Sequence, residues 1–540
     1  MSPEPRRWTF GLTPLRVAAL IVLALFAALT FTVLLTNEAT FVYTLDDPYI
    51  HLALAENLVR GSYGINLGEV SSPSSSIVYP FLVALGLLAG LGDWTPLALN
   101  FVALLGVLVT AERVARRALA PHLDRPELPA AAVATIALLA SNGLGVAFTG
   151  MEHLLHVWVT LLVFLGLLSV ESGERTPAWL VVVIALAPAS RYEALALTAA
   201  SVLLLWLSDR RAAILAAVGG ALLLGAHAVW MLAMGLPALP SSVLRKLPIA
   251  QGIASLRPAS GDHVTSWLHG LLRALGNPTV GPLVLVAALC VLATLLPGPR
   301  RPASRLAIWI LGIVLAQVAF GRFSGYPRYE TYAVAVLILA TLLVFAPQFA
   351  ALWKARPAVT SLLLLLAVAA PSWRNLTATW AIPAASSDIY SQQYQLHRFL
   401  TEFHREAVAV NDLGWASYRN DAYVLDLWGL GSEAARSAWA APDPAAALDA
   451  LVQARQVPLA AVYEPWIAVA RPRHWIPIGS MELKFPITVV EGHQITFFAT
   501  DPARCEEMWR RVAAFAQVRL PPRTAVGISD PTLCTAAARR

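Results

Sequence analysis

The chain is dominated by apolar runs about 20 residues long, the length at which a helix crosses the roughly 30 Å hydrocarbon core of a bilayer. Eleven are read, at about 15–36, 95–112, 129–148, 152–170, 177–190, 194–208, 211–234, 280–297, 304–320, 331–350 and 357–373. Lipid offers no hydrogen bonds, so each run is expected to satisfy its backbone internally as a helix. With 57% hydrophobic and 13% charged residues, and a mean hydropathy of +0.63, the chain departs strongly from soluble composition. A polytopic α-helical membrane protein is expected. The net charge of +6 is then a topology signal, and nucleic-acid binding is not indicated.

Arginines set the orientation. Loops carrying Arg113, Arg116 and Arg117, then Arg175, Arg210 and Arg211, Arg300, Arg301 and Arg305, and Lys354 with Arg356 fall on one side, the cytoplasmic one by the positive-inside rule. The pattern holds if the apolar stretch 77–92 is an interfacial or re-entrant helix rather than a crossing. The short basic N-terminus before the first run reads as part of a retained anchor. The same count sends residues 37–94, GMEH (150–153), SRYE (190–193), the loop 235–279, RFSGYPRYE (322–330) and everything after about 374 to the outer face. Charges costly within a membrane therefore collect at one end of the bundle. Pairing of Arg191 with Glu193, or of Arg328 with Glu330, is the competing structural explanation.

From 374 the long apolar runs stop, so residues 1–373 are read as the membrane domain and 374–540 as a soluble α/β or α+β domain. Helical periodicity covers 391–404, and strands are expected at 407–413, 423–430, 458–464 and 493–500. Trp415, Trp428, Trp466 and Trp475 could stack on sugar rings or fill the core. Of three cysteines, Cys290 lies in an apolar run, whereas Cys505 and Cys534 could form a disulfide if this region is exported.

The first outer segment, TLDDPYIHLALAENLVRG (44–61), places Asp46 and Asp47 beside the first span. Asp47 is expected to cap a short helix, with Pro48 at its first position and Gly61 at its stop. Asp46 caps nothing evident. His51 falls four residues after Asp47, on the same helical face.

These motifs, in this order, resemble the GT-C glycosyltransferases, integral membrane enzymes that use polyprenyl-phosphate sugars, and in particular the branch of mycobacterial terminal arabinofuranosyltransferases. LDDPYIHLALAENLVRG is similar to that branch's DDAYI-like motif and helix, and NLGEVSSPSSSIVYP to its Gly-Glu and Thr-Asn-Pro segment. GMEH, SRYEALAL, LPSSVLRKL (239–247) and RYETY follow as counterparts of Gly-Leu-Glu-Thr, Arg-Pro-Glu-Gly, Leu-Pro-Asn-Thr and Arg-Tyr-Glu motifs. Pro48, Tyr192 and the serine run depart from the pattern, which bears on sugar and acceptor.

The resemblance implies sugar transfer from a polyprenyl-phosphate donor to a cell-envelope glycan or glycolipid, with arabinofuranose among the candidate sugars and inversion at the anomeric carbon. The location it implies is a bacterial inner membrane. Asp46 is expected as general base, with Asp47 orienting it or helping to hold a divalent cation, Mg or Mn. Lys246, Arg328, Arg191, Arg245 and Arg322 are the candidate phosphate-binding cations, and Glu152, His51, Glu193 and Tyr329 the candidate sugar or acceptor contacts. The rival readings are a lipid-linked sugar transporter, which would carry polar groups at mid-membrane, and a non-catalytic envelope assembly protein.

Overall fold

The computed structural model describes residues 12–246, 280–295, 301–321, 326–369 and 372–537. Among them, four helical segments are each long and apolar enough to cross a membrane: Pro14–Thr36, Gly92–Leu119, His153–Glu171 and Arg210–Ala233. Two bent pairs, Thr331–Val344 with Ala346–Ala355 and Pro357–Ala369 with Trp373–Trp380, make six if each pair is one span. These helices define a multi-pass membrane protein. The other expected crossings are apolar helices of 10–17 residues among the described residues. One cause of this length is visible at Ala178–Ser190, which contains Pro188 and stops where Arg191 turns to extended backbone (φ −163°, ψ 145°).

His153–Glu171 is the centre of the bundle. It packs against Thr95–Leu119, Ala178–Ser190 and Thr331–Val344, and its Phe164 stacks on Trp309 with centroids 5.8 Å apart. Pro14–Thr36 is peripheral, leaving Leu20, Ile21 and Phe31 exposed, as lipid contact requires. The stretch 77–92 contains only Tyr79–Leu88 as α-helix. Ten residues rise about 15 Å, half the hydrocarbon thickness.

Residues 408–528 form one mixed six-stranded sheet, ordered β2-β1-β3-β5-β4-β6. The strands are β1 (Val408–Val410), β2 (Val424–Asp426), β3 (Leu459–Val462), β4 (Ile476–Leu483), β5 (Gln494–Ala499) and β6 (Thr524–Ile528). β2, β1 and β3 run parallel, and the remaining pairings are antiparallel. The four expected strands are present, each trimmed at its ends. β4 and β6 went unread because Pro477, Gly479 and Gly527 interrupt their patterns, and β4 carries a register shift between Pro477 and Gly479.

Strand alternation decides how the sheet is covered. Val408, Val410, Ala461 and Phe497 join the core that continues into the helical bundle. Ala409, Ala460 and Phe498 face a second core, closed by Glu433–Ala438 and Pro444–Ala454. Asn66, from the first loop, pairs with the free edge of β2 through both its amide groups, donating to Val424 O and accepting from Val424 N, each at 2.9 Å.

Cys505 and Cys534 are disulfide-bonded, linking Cys505–Phe515 to Thr532–Ala537, while Cys290 is a buried free thiol. Alkylation of the denatured, unreduced protein is therefore expected to add one label by mass spectrometry, and three after reduction. Three labels without reductant would refute the pairing.

Candidate functional site

The site begins where Asp46 and Asp47 open the helix Asp47–Val59. Asp46 takes the N-cap position and Asp47 the first helical one, and neither side chain caps this helix. The expected cap by Asp47 is absent because its carboxylate is drawn to Arg328, with Oδ2 2.8 Å from Nη1. Asp47 keeps 36% of its side chain exposed.

Asp46 is 7% exposed and points the other way, into the sheet domain. Its Oδ2 accepts from Gly414 N (2.7 Å) and its Oδ1 from Trp415 N (2.9 Å), at the start of the short helix Gly414–Ser417. Gly414 has to be glycine: a Cβ there would run into the Asp46 backbone and carboxylate. Trp415 stacks on Tyr49 with centroids 3.9 Å apart, sealing the contact.

Asp412, just beyond β1, is hydrogen-bonded with Asp46. Desolvation, reinforced by the Asp46 charge, pushes Asp412 well above the usual carboxylate range, so Asp412 holds the shared proton. Burial raises Asp46 to about 6, against the opposing pull of the Trp415 N–H. Gln393 Nε2 donates to Asp412 Oδ2 (3.2 Å) and to the Tyr463 hydroxyl (2.7 Å), which donates to Gln392 Oε1 (2.6 Å). Asp412 lies within the stretch 407–413 expected as a strand, which singles out no role for it. The available signal was its place: a carboxylate after the carboxyl end of β1, between strands that depart to opposite sides, marks the crevice of a parallel sheet.

The remaining motif residues converge beneath Asp47. Arg191, 2% exposed, pairs with Glu152, reaches Glu193 Oε1 at 2.6 Å and lies 2.9 Å from His153 Nε2. His51 Nε2 is 3.4 Å from the fully buried Glu152. Tyr329 lies between two guanidinium groups, with Arg191 5.6 Å and Arg328 5.1 Å from its ring centre. Gly150, at φ +66°, allows the GMEH turn to approach, since a Cβ would press on Tyr43 and Pro48.

Several expectations change here. Arg191 pairs with two carboxylates, and His51 lies against Glu152, all three side chains being buried. The competing explanation of a local pair holds for Arg191 and Glu193, whereas Arg328 pairs with Asp47. Arg245 packs on Trp428 (4.2 Å) and Trp439 (5.3 Å) of the sheet domain. Trp415 and Trp475 are buried, while Trp428 and Trp466 are half-buried. Arg322 and the side chain of Lys246 lie outside the described residues.

A divalent cation does not fit the aspartate pair in this arrangement. Both Asp46 oxygens accept backbone N–H groups, and Asp47 faces a guanidinium that would repel a cation. Among the described residues no group of three or more His, Cys, Asp or Glu side chains could hold a metal ion.

Residues 387–515 match the model of a family described as a domain of unknown function, DUF8728. No curated protein matches the chain. Among solved structures it is similar to the apo oligosaccharyltransferase of Archaeoglobus fulgidus, with a TM-score of 0.45, 13% identity, and 96% of this chain and 77% of that one covered. It is also similar to ArnT from Cupriavidus metallidurans bound to undecaprenyl phosphate, at 0.46 and 13%, covering 90% and 98%. A third is arabinofuranosyltransferase AftD from Mycobacteria, at 0.44 and 16%, covering 92% and 42%.

Two outcomes are expected. Glu152→Ala strands the Arg191 charge against Glu193 alone in a buried setting, which should cost about 3–5 kcal/mol in chemical denaturation; a change within about 0.5 kcal/mol would refute the pairing. Burial raises Asp46 to about 6 from 3.8, so its net contribution to holding the folded, closed site is fully present below pH 3.8 and is lost as pH rises through about 6. Hydrogen exchange at Gly414 and Trp415, corrected for intrinsic rate, should therefore show protection falling between pH 4 and 7. Asp412→Asn should flatten the profile.

Proposed function

We propose that this chain is a GT-C-type glycosyltransferase that moves a sugar from a polyprenyl-phosphate donor to a glycan or glycolipid acceptor on the outer face of a bacterial inner membrane. The observation that carries the reading is the Asp47–Arg328 pair: a half-exposed carboxylate on a guanidinium whose Nε makes no hydrogen bond among the described residues. A donor phosphate would satisfy that guanidinium with two parallel bonds. Its arrival takes Arg328 from Asp47 and frees a carboxylate beside the bond to be broken. Asp47 then accepts the acceptor hydroxyl's proton as the new bond to the anomeric carbon forms on the face opposite the leaving phosphate. Inversion follows from that single displacement.

This reading moves the base from Asp46, the sequence expectation, to Asp47. Asp46 is 7% exposed, and its carboxylate already takes the Gly414 and Trp415 N–H groups and a hydrogen bond shared with Asp412, so an acceptor hydroxyl has no open approach to it. Asp46 and Asp412 instead position the loop that carries Asp47. Lys246 and Arg322 remain proposed phosphate contacts by their motifs alone. Arabinofuranose is one candidate sugar, on the likeness to the arabinofuranosyltransferase branch.

The test uses purified protein with polyprenyl-phosphate sugars and an envelope acceptor. Asp47→Asn should lower kcat by about 10²–10⁴-fold with an unchanged melting transition. Arg328→Gln should raise KM for the donor and leave acceptor KM near wild type. Full activity of Asp47→Asn would overturn the assignment.

A further inference from the structure

Opposite the aspartates, at the far ends of the same helices, lies a second polar cavity of about 630 Å³. Thr95–Leu119 starts beside Asp93, which binds Tyr43 and Arg419 at the aspartate end, and after 25 residues, about 37 Å, ends among Arg113, Arg116 and Arg117. With Arg175, these three arginines line the cavity, together with Ser169 and Trp179. Arg117 donates to Ser169 and lies 3.7 Å from Glu174, and Arg116 lies 3.3 Å from Glu112. Arg113 and Arg175 are exposed and make no ion pair among the described residues. The four arginines therefore exceed the nearby acids, Glu112 and Glu174, by two charges.

Such a surplus invites an anion, and the rim identifies its source. Trp179 stands at the mouth, 41% exposed, and Val182 and Leu186 follow at three- and four-residue spacing, both about half exposed. They form one outward stripe along Ala178–Ser190, leading from the arginines into the apolar zone of the bundle. A free phosphate ion would use the arginines and ignore the stripe. A phospholipid uses both, with phosphate on the guanidinium groups, glycerol backbone at the interfacial tryptophan and an acyl chain along Val182 and Leu186.

We propose that this cavity binds the headgroup of an anionic phospholipid, and that the surplus of two charges favours a two-phosphate headgroup such as cardiolipin's. The site is separate from the aspartate centre and serves to seat the bundle in the leaflet whose anionic lipids it selects.

The full-length protein would be released from nanodiscs of phosphatidylcholine with and without cardiolipin, and retained lipid counted by native mass spectrometry. Preferential retention of cardiolipin is expected. Arg113→Ala/Arg175→Ala should reduce it roughly 30-fold, about fivefold per arginine. Arg210→Ala, which removes an exposed arginine stacked on Trp206 outside the cavity, should retain cardiolipin as wild type does. Melting in neutral detergent checks the fold; if the double variant melts early, the single Arg113→Gln and Arg175→Gln proteins replace it. Equal loss in Arg210→Ala, or no loss in any cavity variant, overturns the proposal. Displacement of bound cardiolipin by millimolar inorganic phosphate would make this a free-anion site and overturn the lipid assignment.

Discussion

A carboxylate taken out of water has to be compensated, and the way Asp46 is compensated organises the outer half of this molecule. Its two oxygens accept the Gly414 and Trp415 N–H groups, and Asp412 adds a proton between the two acids. The bond joins the first loop after a membrane span to the crevice at the carboxyl ends of β1 and β3. Around it close the Tyr49–Trp415 stack, the Asn66 edge pairing and the Asp93 contacts with Tyr418 and Arg419. Residues more than 300 positions apart thus share one continuous core with the bundle. The sheet domain is fastened to the bundle at the place where the candidate chemistry lies.

The second constraint is electrostatic. Arg191 and Glu152 are buried at the head of the central helices, where an unpaired charge would be far costlier than the pair. Glu193, His51 and His153 complete the shell, so the polar groups that interrupt the spans answer one another. These contacts hold the Gly150 turn, the Arg191 turn and Tyr329 against one another. Arg328 is then held through Tyr329 as well as through Asp47.

Much of this was legible beforehand, for identifiable reasons. Hydrophobic length marks membrane helices because lipid leaves the backbone no alternative, so the bundle could be read in outline. Where each helix ends could not, since that depends on where Pro188 or Arg191 turns the chain. The alternating patterns of β1, β2, β3 and β5 were readable, while β4 and β6 are held by pairing that overrides Pro477 and Gly527. At the site, motif order groups Asp47, Glu152, Arg191, Glu193 and Arg328 at one end, and ion pairs link Asp47 to Arg328 and Arg191 to both glutamates. Which of them pair was not readable, because partners are chosen by directions that only the packed turns set. Asp412 escaped for the same reason: its significance lies in Asp46, which is 366 residues away in sequence.

The division of labour between two adjacent aspartates follows from helix geometry. Successive residues at a helix start are separated by about 100° around the axis, so Asp46 and Asp47 cannot both face one ligand unless the helix begins later or unwinds. The Asp47–Val59 helix packs between the Gly414–Ser417 turn and Tyr79–Leu88. With Asp46 turned toward the sheet domain, Asp47 is left to face Arg328. An acid pair that looks like a metal-binding doublet on paper is therefore split by one residue's step around the helix axis into a fastener and a half-exposed carboxylate facing Arg328. The fastener's strength depends on Gly414 having no side chain, which ties the exposure of Asp47 to a glycine in a different part of the fold.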